Sequence, residues 1–289
     1  MERLAGFCAV ADVGSIAAVA QGDPSRQSLL SRQIRELETF FGVDLVRRVG
    51  RGLELTDAGR ELASIGRQNF KELSDYAARC RQQEWTVRIV ASNSVAQWLL
   101  LPRLKAVAEA QPHVRFEIFH EQTREMVAGT REGTYDLAFV RKDALVPGLK
   151  EAVLGVIESC LYIPKTLSKV PPKSVAEAIS NLPMALPIGG RMRDTVERLA
   201  AKKGLTPRVV LACSSYLQAA QAVQSGMCAA VLPQTALSSL DAKKLHRLPI
   251  PDKFTLCLAW TPRNVDTRPA LRELIATFSS IMAVSPRPC

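Results

Sequence analysis

Residues 25–51 have the sequence SRQSLLSRQIRELETFFGVDLVRRVGR, and this stretch decides the fold of the first part of the chain. An α-helix turns about 100° per residue, which places Leu30, Ile34, Leu37 and Phe41 on one face. Another face is polar and consists of Gln27, Ser28, Ser31, Arg32 and Arg35. The stretch therefore predicts an amphipathic helix that is packed on one side. Its other side offers the hydroxyl, amide and guanidinium groups that contact base edges in a major groove.

The flanking residues predict a complete DNA-binding unit. Ser15 is suited to cap a shorter preceding helix, and Gly22-Asp23-Pro24 predicts the turn between the two helices. After the long helix, Val46 to Thr56 alternates as a hairpin whose tip carries Arg51 between two glycines. Helix, turn, helix and hairpin form the winged helix-turn-helix layout. Arg48 and Arg51 on the wing are expected to contact phosphates or the minor groove.

Residues 4–59 resemble, without gaps, the winged helix-turn-helix of LysR-type transcriptional regulators. The matching positions are Phe7, Gly14-Ser15, Ser31-Arg32-Gln33-Ile34, Leu37-Glu38, Phe41-Gly42, Leu45, Arg48, Arg51-Gly52 and Leu55-Thr56-Asp57-Ala58-Gly59. The chain departs from the family at Gln21-Gly22-Asp23-Pro24-Ser25, where an apolar run usually ends the second helix. This departure predicts a shortened second helix or an altered turn. The resemblance implies promoter double-stranded DNA as a partner, with RNA polymerase as a further one.

Residues 58–84 predict one long helix that links the first domain, residues 1–57, to the rest of the chain. A stripe with three- and four-residue spacing runs along it, made of Leu62, Ile65, Asn69, Leu73, Tyr76 and Cys80. Such a stripe is typical of a helix that pairs with another helix. A helix packed only on its own domain is the alternative. The family resemblance favours a dimerisation helix, and so a homodimer or homotetramer.

Residues 85–289 alternate short apolar strands with helices, which indicates parallel βαβ units. The pattern restarts near Ser159, as expected for two lobes joined by crossing strands. We predict a two-lobed α/β effector domain like a periplasmic binding protein, in agreement with the LysR resemblance. Lobe I spans about 85–158 and 262–289, and lobe II about 159–261. The predicted fold class is therefore multidomain α+β, with a winged helix-turn-helix, a linker helix and this effector domain.

Ligands of open α/β sheets bind beyond the carboxyl ends of the strands. This rule selects nine candidate effector contacts: Ser92, Asn93, Ser94, Thr123, Arg141, Gly189, Arg191, Cys213 and Ser214. Two of these loops begin helices, where free N–H groups favour anions. Residues 1–84 hold 12 basic and 12 acidic residues, so the formal charge of +10 lies in residues 85–289. We therefore expect a small anionic effector, such as a carboxylate.

The sequence offers little support for other chemistry. With three histidines and dispersed cysteines, it carries no metal-binding or hydrolase motif, so no catalytic residue, metal or cofactor is predicted. The seven cysteines and the N-terminus lacking an apolar segment predict a cytoplasmic protein with reduced thiols, and no apolar run is long enough to span a membrane. Three alternatives stay open: a solute-binding module without DNA recognition, an enzyme using the cleft, and a regulator that senses oxidation through a cysteine pair such as Cys160 and Cys213.

Overall fold

The computed structural model describes residues 1–49, 52–80 and 84–284. Its first domain contains three helices, a two-stranded hairpin and the start of a long fourth helix. These elements are α1 (Glu2–Val13), α2 (Ile16–Ala20), α3 (Pro24–Phe41), β1 (Val46–Val49), β2 (Gly52–Leu55) and α4 (Asp57–Cys80). The expected amphipathic helix and antiparallel wing are both present. The second helix has only five residues, as the departure from the family pattern predicted.

Local caps explain where the two helices of the motif begin. The Ser15 side chain accepts a hydrogen bond from the Ala18 amide, and Asp23 accepts from the Ser25 and Arg26 amides. Pro24 stands in the first turn of α3, where a missing N–H costs nothing. Gln21 ends α2 with a positive φ of 54°, a conformation uncommon for residues other than glycine. The short turn therefore comes from a left-handed residue followed by a strong cap.

Gly59 explains how α4 lies so close to the wing. A Cβ atom built at this glycine would stand 1.9 Å from the Leu45 carbonyl oxygen, far inside van der Waals contact. The Thr56 side chain accepts from the Gly59 amide and donates to the Asp44 carbonyl oxygen. These contacts fix the start of the linker helix against the DNA-binding domain.

The remaining chain builds one eight-stranded mixed sheet with helices on its faces, in the order β4-β3-β5-β10-β6-β9-β7-β8. Its strands are β3 (Trp85–Ala91), β4 (Val114–His120), β5 (Leu137–Arg141), β6 (Lys150–Pro164), β7 (Met184–Pro187), β8 (Val209–Cys213), β9 (Ala229–Pro233) and β10 (Leu245–Trp260). Its helices are α5 (Asn93–Val95), α6 (Leu101–Ala110), α7 (Thr123–Arg131), α8 (Val175–Asn181), α9 (Arg191–Ala201), α10 (Tyr216–Gln224), α11 (Pro262–Thr267) and α12 (Pro269–Ile281). A π-helical segment, Ala96–Leu100, joins α5 to α6. The two-lobed fold class predicted from the sequence is confirmed.

Two long antiparallel strands, β6 and β10, pass through both lobes and pair with each other along their length. Leu256–Ala259 of β10 pair with β5, which belongs to lobe I. The second crossing therefore lies near Asp252, ahead of the boundary at residue 261 that the sequence pattern indicated. The sequence pattern indicated strands only at residues 159–164 and 255–260, so the first half of each strand was missed. Gly155, Pro249 and Pro251 interrupt the alternation on which strand prediction depends. At the crossing, Ser159 Oγ donates to Asp252 Oδ2 at 3.0 Å.

Separate apolar cores support the parts of the chain. Phe7, Val10, Leu30 and Ile34 are among the buried residues that hold the DNA-binding domain together. The lobes have larger cores of their own on the two halves of the sheet. Trp98 crosses this division: it follows a lobe I strand, but its side chain packs in a core of lobe II. The lobes are thus joined by two strands and one buried indole.

Candidate DNA interface and effector cleft

The recognition helix α3 has the orientation that its sequence predicted, except at Phe41, which was expected on the packed face but is 48% exposed at the end of the helix. Leu30 and Ile34 are buried, whereas Ser28, Arg32 and Arg35 are exposed. Gln27 and Ser31 are half-buried on the same side as the exposed set. The five predicted DNA-reading side chains therefore form one accessible surface on the helix.

The charged groups on α3 are held loosely by neighbours. Arg32 Nε lies 3.5 Å from Glu36 Oε1, while the other oxygen of Glu36 pairs with Arg3 Nε at 2.5 Å. The Arg32 side chain is 71% exposed, so this ion pair is solvated and weak. A phosphate or a guanine edge can therefore compete with Glu36 for the Arg32 guanidinium.

The wing is fixed to the recognition helix by a carboxylate. Glu38 Oε1, near the end of α3, accepts hydrogen bonds from the backbone amides of Leu45 and Val46 at 3.0 and 3.3 Å. Arg47 is occupied by Glu54 across the hairpin at 2.9 Å. Arg51 and the side chain of Arg48 lie outside the described part of the chain, so their predicted DNA contacts stay predictions.

The linker helix α4 presents two different faces. On one of them, Arg67, Lys71 and Asp75 follow one another at four-residue spacing and point to lobe I. Arg67 Nε lies 2.8 Å from Asp12 Oδ1 on α1, and its Nη1 donates to the Glu132 carbonyl oxygen at 3.2 Å. One arginine thus joins the DNA-binding domain, the linker helix and lobe I.

A buried charge cluster lies beside this arginine. Asp136, whose side chain is 1% exposed, pairs with Lys71 Nζ and with Arg268 Nη1 and accepts from the Arg88 amide. Arg268 also pairs with Asp75, and its guanidinium lies 5.1 Å from the centroid of the Trp85 ring. Burial lowers the pKa of Lys71 and raises the pKa of Asp75, while the opposite charges act against both shifts.

This cluster was missed from the sequence. The spacing of Arg67, Lys71 and Asp75 placed three charges on one helix face, which is a detectable signal but is usually a solvated surface. The identity of the partner residues, Asp136 and Arg268, depends on the tertiary fold. Part of the predicted stripe lies on the other face of α4, where Leu73 is 48% exposed and Tyr76 is 61% exposed, whereas Leu62 packs against the core of the DNA-binding domain.

In lobe I the predicted effector residues gather at one end of the sheet. Ala91 of β3 is in register with His120 of β4 and with Phe139 of β5. The loops after these three strands therefore start side by side, and they carry Ser92, Asn93, Ser94, Thr123 and Arg141. The Ser92 and Ser94 hydroxyls lie 3.4 Å apart, and Arg141 Nε lies 3.4 Å from Asp143.

In lobe II the same arrangement brings two loops together. Pro187 of β7 is in register with Cys213 of β8, so Gly189 and Ser214 follow neighbouring strand ends. Ser214 is exposed, and its amide donates to Gln218 Oε1 at 3.0 Å. Helix α9 begins at Arg191, whose side chain lies outside the described part of the chain. Helix α5 of lobe I contacts α10 of lobe II, so the two groups of loops lie on the same side of the sheet.

Cys213 differs from its neighbours because its side chain is buried. It is 3% exposed, and its thiol donates to the Leu186 carbonyl oxygen at 3.5 Å. Cys213 is a free thiol, and burial raises its pKa. Burial also raises the pKa of nearby Cys228 to about 11. Raised pKa values disfavour the thiolate, which is the form that reacts with oxidants.

A cavity of about 140 Å³ lies between the lobes. Trp98, Leu99 and Arg103 line it from lobe I, and Gln234 and Ser238 line it from lobe II. None of the nine predicted effector residues is part of its wall. The cavity and the predicted loops are thus separate features of the interlobe region.

Within residues 1–49, 52–80 and 84–284, no group of three or more His, Cys, Asp or Glu side chains is arranged to hold a metal ion. No helix in the same ranges combines the length and the apolar character that crossing a membrane requires.

Two family models match the chain. The model of the bacterial regulatory helix-turn-helix protein, lysR family, matches residues 1–60, and the LysR substrate binding domain matches residues 81–282. The Escherichia coli K12 protein described as uncharacterized HTH-type transcriptional regulator YnfL is 25% identical over 291 residues, covering 94% of this chain and 95% of that protein. The nitrogen assimilation regulatory protein nac of the same organism is 26% identical over 253 residues, covering 83% and 80%.

Solved structures share the fold over the whole chain. Full-length OxyR from Pseudomonas aeruginosa, solved as a cysteine-to-aspartate variant, has a TM-score of 0.69 with 16% identity, covering 99% of this chain and 98% of that one. Full-length CbnR complexed with its target DNA has a TM-score of 0.55 with 21% identity, covering 94% and 99%. Together, the recognition helix, the wing, the two-lobed domain and both family models show that the chain belongs to the LysR family of DNA-binding transcriptional regulators, with a helix-turn-helix domain and an effector-binding domain.

Proposed function

We propose that α3 enters the major groove of promoter DNA and contacts base edges through Gln27, Ser28, Ser31, Arg32 and Arg35. The observation that carries this proposal is the accessible polar face of α3, opposite the buried Leu30 and Ile34. Arg48 and Arg51 on the wing contact the phosphates or the minor groove. CbnR, which shares the fold, has been solved with its target DNA, and this supports the same mode of binding here.

The proposed effector is a small anion, such as a carboxylate, bound between the lobes at the nine predicted residues. Lobe II favours an anion, since residues 159–261 contain 13 Lys and Arg but only five Asp and Glu. Ser215 caps α10 beside the exposed Ser214, and an anion there would meet the positive end of a helix. Binding would change the angle between the lobes at the crossing strands β6 and β10, and would shift the population of DNA-binding states.

The exposed face of α4 supports a homodimer or homotetramer. Leu73 and Tyr76 lie on this face, and burial against a second copy would remove their apolar surface from water. A dimer would present two recognition helices to two half-sites on the same side of the DNA. We extend the proposal to contact with RNA polymerase at the promoter and to the cytoplasm as its location, since both follow from promoter regulation.

Selection of genomic fragments by purified protein in about 0.15 M salt, followed by footprinting, tests the DNA-binding proposal. The expected result is protection of a pseudo-palindrome beside a promoter. If no genomic fragment is enriched over random DNA, either with or without a metabolite pool, the protein would instead be a solute-binding module.

Isothermal titration against a panel of organic acids and neutral metabolites tests the effector proposal. Organic acids should bind. The Arg141→Gln variant should bind them more weakly, while its affinity for DNA in the absence of effector should be unchanged. If only neutral compounds bind, the proposal that the effector is an anion is wrong. Chromatography of the ligand after incubation shows whether it has been converted. Conversion would indicate an enzyme, and an unchanged ligand would indicate binding alone.

A further inference from the structure

A cavity of about 250 Å³ lies where the DNA-binding domain, the linker helix and lobe I meet. Its wall comes from α1, the wing strand β2, α4 and the end of α7. The lining residues are Val10, Ala11, Gly14, Leu53, Glu54, Leu55, Arg60, Arg67 and Glu132. None of the nine predicted effector residues lines this cavity, and a molecule in it would touch all three parts.

Two arginines on α4 supply the positive charge of this cavity. Arg67 is oriented by Asp12 and by the Glu132 carbonyl oxygen. Arg60 Nη1 donates to the Leu55 carbonyl oxygen at 2.7 Å, and its Nη2 pairs with Asp57 on the first turn of α4. A guanidinium has five N–H donors, so each arginine keeps donors beyond those used in these contacts. Both groups are thus preoriented and still able to bind a carboxylate.

The negative charge comes mainly from Glu132. Glu132 is a half-buried residue, and its carboxylate makes no ion pair or hydrogen bond with any residue in the described ranges of the chain. Glu54, the other acid, is paired with Arg47 at 2.9 Å. The oxygens of the Glu132 carboxylate are therefore open to a bound cation. The remaining wall is apolar and includes Val10, Leu53 and Leu55.

We propose that this junction cavity binds a small apolar α-amino acid in its zwitterionic form. The carboxylate of the ligand would meet Arg60 and Arg67, its ammonium would meet Glu132, and its side chain would lie on the apolar wall. A dicarboxylate would face Glu132, and a polyamine would face two arginines, so neither matches both signs. The volume lies below the roughly 300–1,000 Å³ of drug-sized ligand sites, which limits the ligand to a small metabolite.

Binding here would give the regulator a second input, separate from the interlobe effector. The ligand would bridge the DNA-binding domain and lobe I and would add to the contacts of Arg67 and of the Asp136 cluster that hold their relative orientation. It would therefore favour one spacing of the two recognition helices in a dimer over others.

Titration calorimetry on the full-length protein tests the site, with leucine, methionine, phenylalanine, glutamate and putrescine as probes. The apolar amino acids should bind with an affinity that depends on Glu132, whereas any binding of glutamate or putrescine should be the same in the wild type and in Glu132→Gln. Glu132→Gln should weaken binding about tenfold or more, because it removes the charge that holds the ammonium. Glu125→Gln, on the same helix α7 but exposed and outside the cavity, is the matched control and should bind as the wild type does.

A second variant, Ala11→Phe, fills the cavity without removing a charge and should abolish binding. Ala11 also borders the core of the DNA-binding domain, so circular dichroism must show that this variant is folded. If it is unfolded, the test depends on Glu132→Gln. Absence of binding by every apolar amino acid, or unchanged affinity in Glu132→Gln, would overturn the proposal. So would loss of binding in Arg141→Gln alone, which would place the amino acid between the lobes. The selection of genomic fragments tests DNA binding separately, so this proposal and the proposed DNA-binding function can fail independently.

Discussion

Arg268 Nη1 donates to Asp136 Oδ1 at 2.5 Å, although 132 residues separate them in the chain. Asp136 also holds Lys71 of the linker helix, and Arg268 also holds Asp75, so the four charges alternate in sign. The cluster attaches α4 to lobe I. Rotation of lobe I would therefore move the linker helix with it, while lobe II joins lobe I through the crossing strands, Trp98 and the contact between α5 and α10.

Replacing Arg268 by Met should destabilise the protein by about 3–5 kcal/mol, because Asp75 and Asp136 would be left as buried charges without their shared partner. The free energy of unfolding in urea measures this effect. Arg272→Met, at an exposed position of α12, is the control and should change stability by less than about 0.5 kcal/mol. Equal, small losses for both variants would mean that the cluster is hydrated in solution.

Alkaline pH should destabilise the protein through its buried thiols and Tyr162. Burial raises the pKa of Cys8 from 9.0 to about 11, and that of Tyr162 from 10.0 to about 12. As the pH rises from 9 to 11, the unfolded chain loses the Cys8 proton while the native protein keeps it, so unfolding becomes more favourable. The contribution of Cys8 is about 2 kcal/mol near pH 11.

Urea unfolding of the wild type and of Cys8→Ala between pH 8.5 and 10.5, under reducing conditions, measures this slope. The wild type should lose stability with pH more steeply than the variant. Parallel curves would show that the Cys8 thiolate is as well solvated in the native protein as in the unfolded chain.

The DNA-binding domain could be predicted from the sequence because its signals are local. The apolar spacing through Leu30 and Ile34, the cap Ser15, the turn Gly22-Asp23-Pro24 and the glycines of the hairpin each act within a few residues. The strands β6 and β10 were only half predicted, because long-range pairing maintains them through Gly155 and Pro249. A local pattern does not contain this pairing.

The candidate site divides in the same way. Strand ends could be predicted, so the loops carrying Ser92 and Ser214 could be chosen as effector contacts. The burial of Cys213 could not be predicted, because it depends on the packing of β8 against the core of lobe II. The cluster around Asp136 and the junction cavity also stayed hidden, since both form where segments distant in sequence meet.

The wing should lose its position when Glu38 is replaced by Ala. Its carboxylate accepts from the Leu45 and Val46 amides, and the substitution removes this shared acceptor. We expect a loss of about 1–3 kcal/mol in stability of the domain and weaker DNA affinity at every sequence. Exchange of the Leu45 and Val46 amide protons measures the local effect. Glu61→Ala, exposed on α4, is the control. Unchanged protection of both amides in Glu38→Ala would contradict this role.

Arg32→Ala should reduce specific DNA affinity more than nonspecific affinity. The side chain stands on the exposed face of α3, and a bidentate contact to a base pair is worth about 1–3 kcal/mol. Arg51→Ala should instead weaken all sequences similarly and lower the salt dependence. Fluorescence anisotropy on the selected operator and on scrambled DNA, at several salt concentrations, separates the two effects. Arg115→Ala, 67% exposed in lobe I, controls for loss of one charge. Equal, sequence-independent losses for Arg32 and Arg51 would mean that another surface contacts the bases.

Leu73→Asp should weaken self-association of the protein by about tenfold or more. Leu73 is 48% exposed on α4, on the face opposite the ion pairs with lobe I, and a charge buried between two helices would be poorly solvated. Sedimentation velocity over a range of concentrations measures the dissociation. Ser74→Asp, one residue further along and also exposed, introduces the same charge outside the apolar stripe and should leave association unchanged. If both variants associate as the wild type does, the copies meet through the effector domains, and α4 then serves only to carry the DNA-binding domain on lobe I.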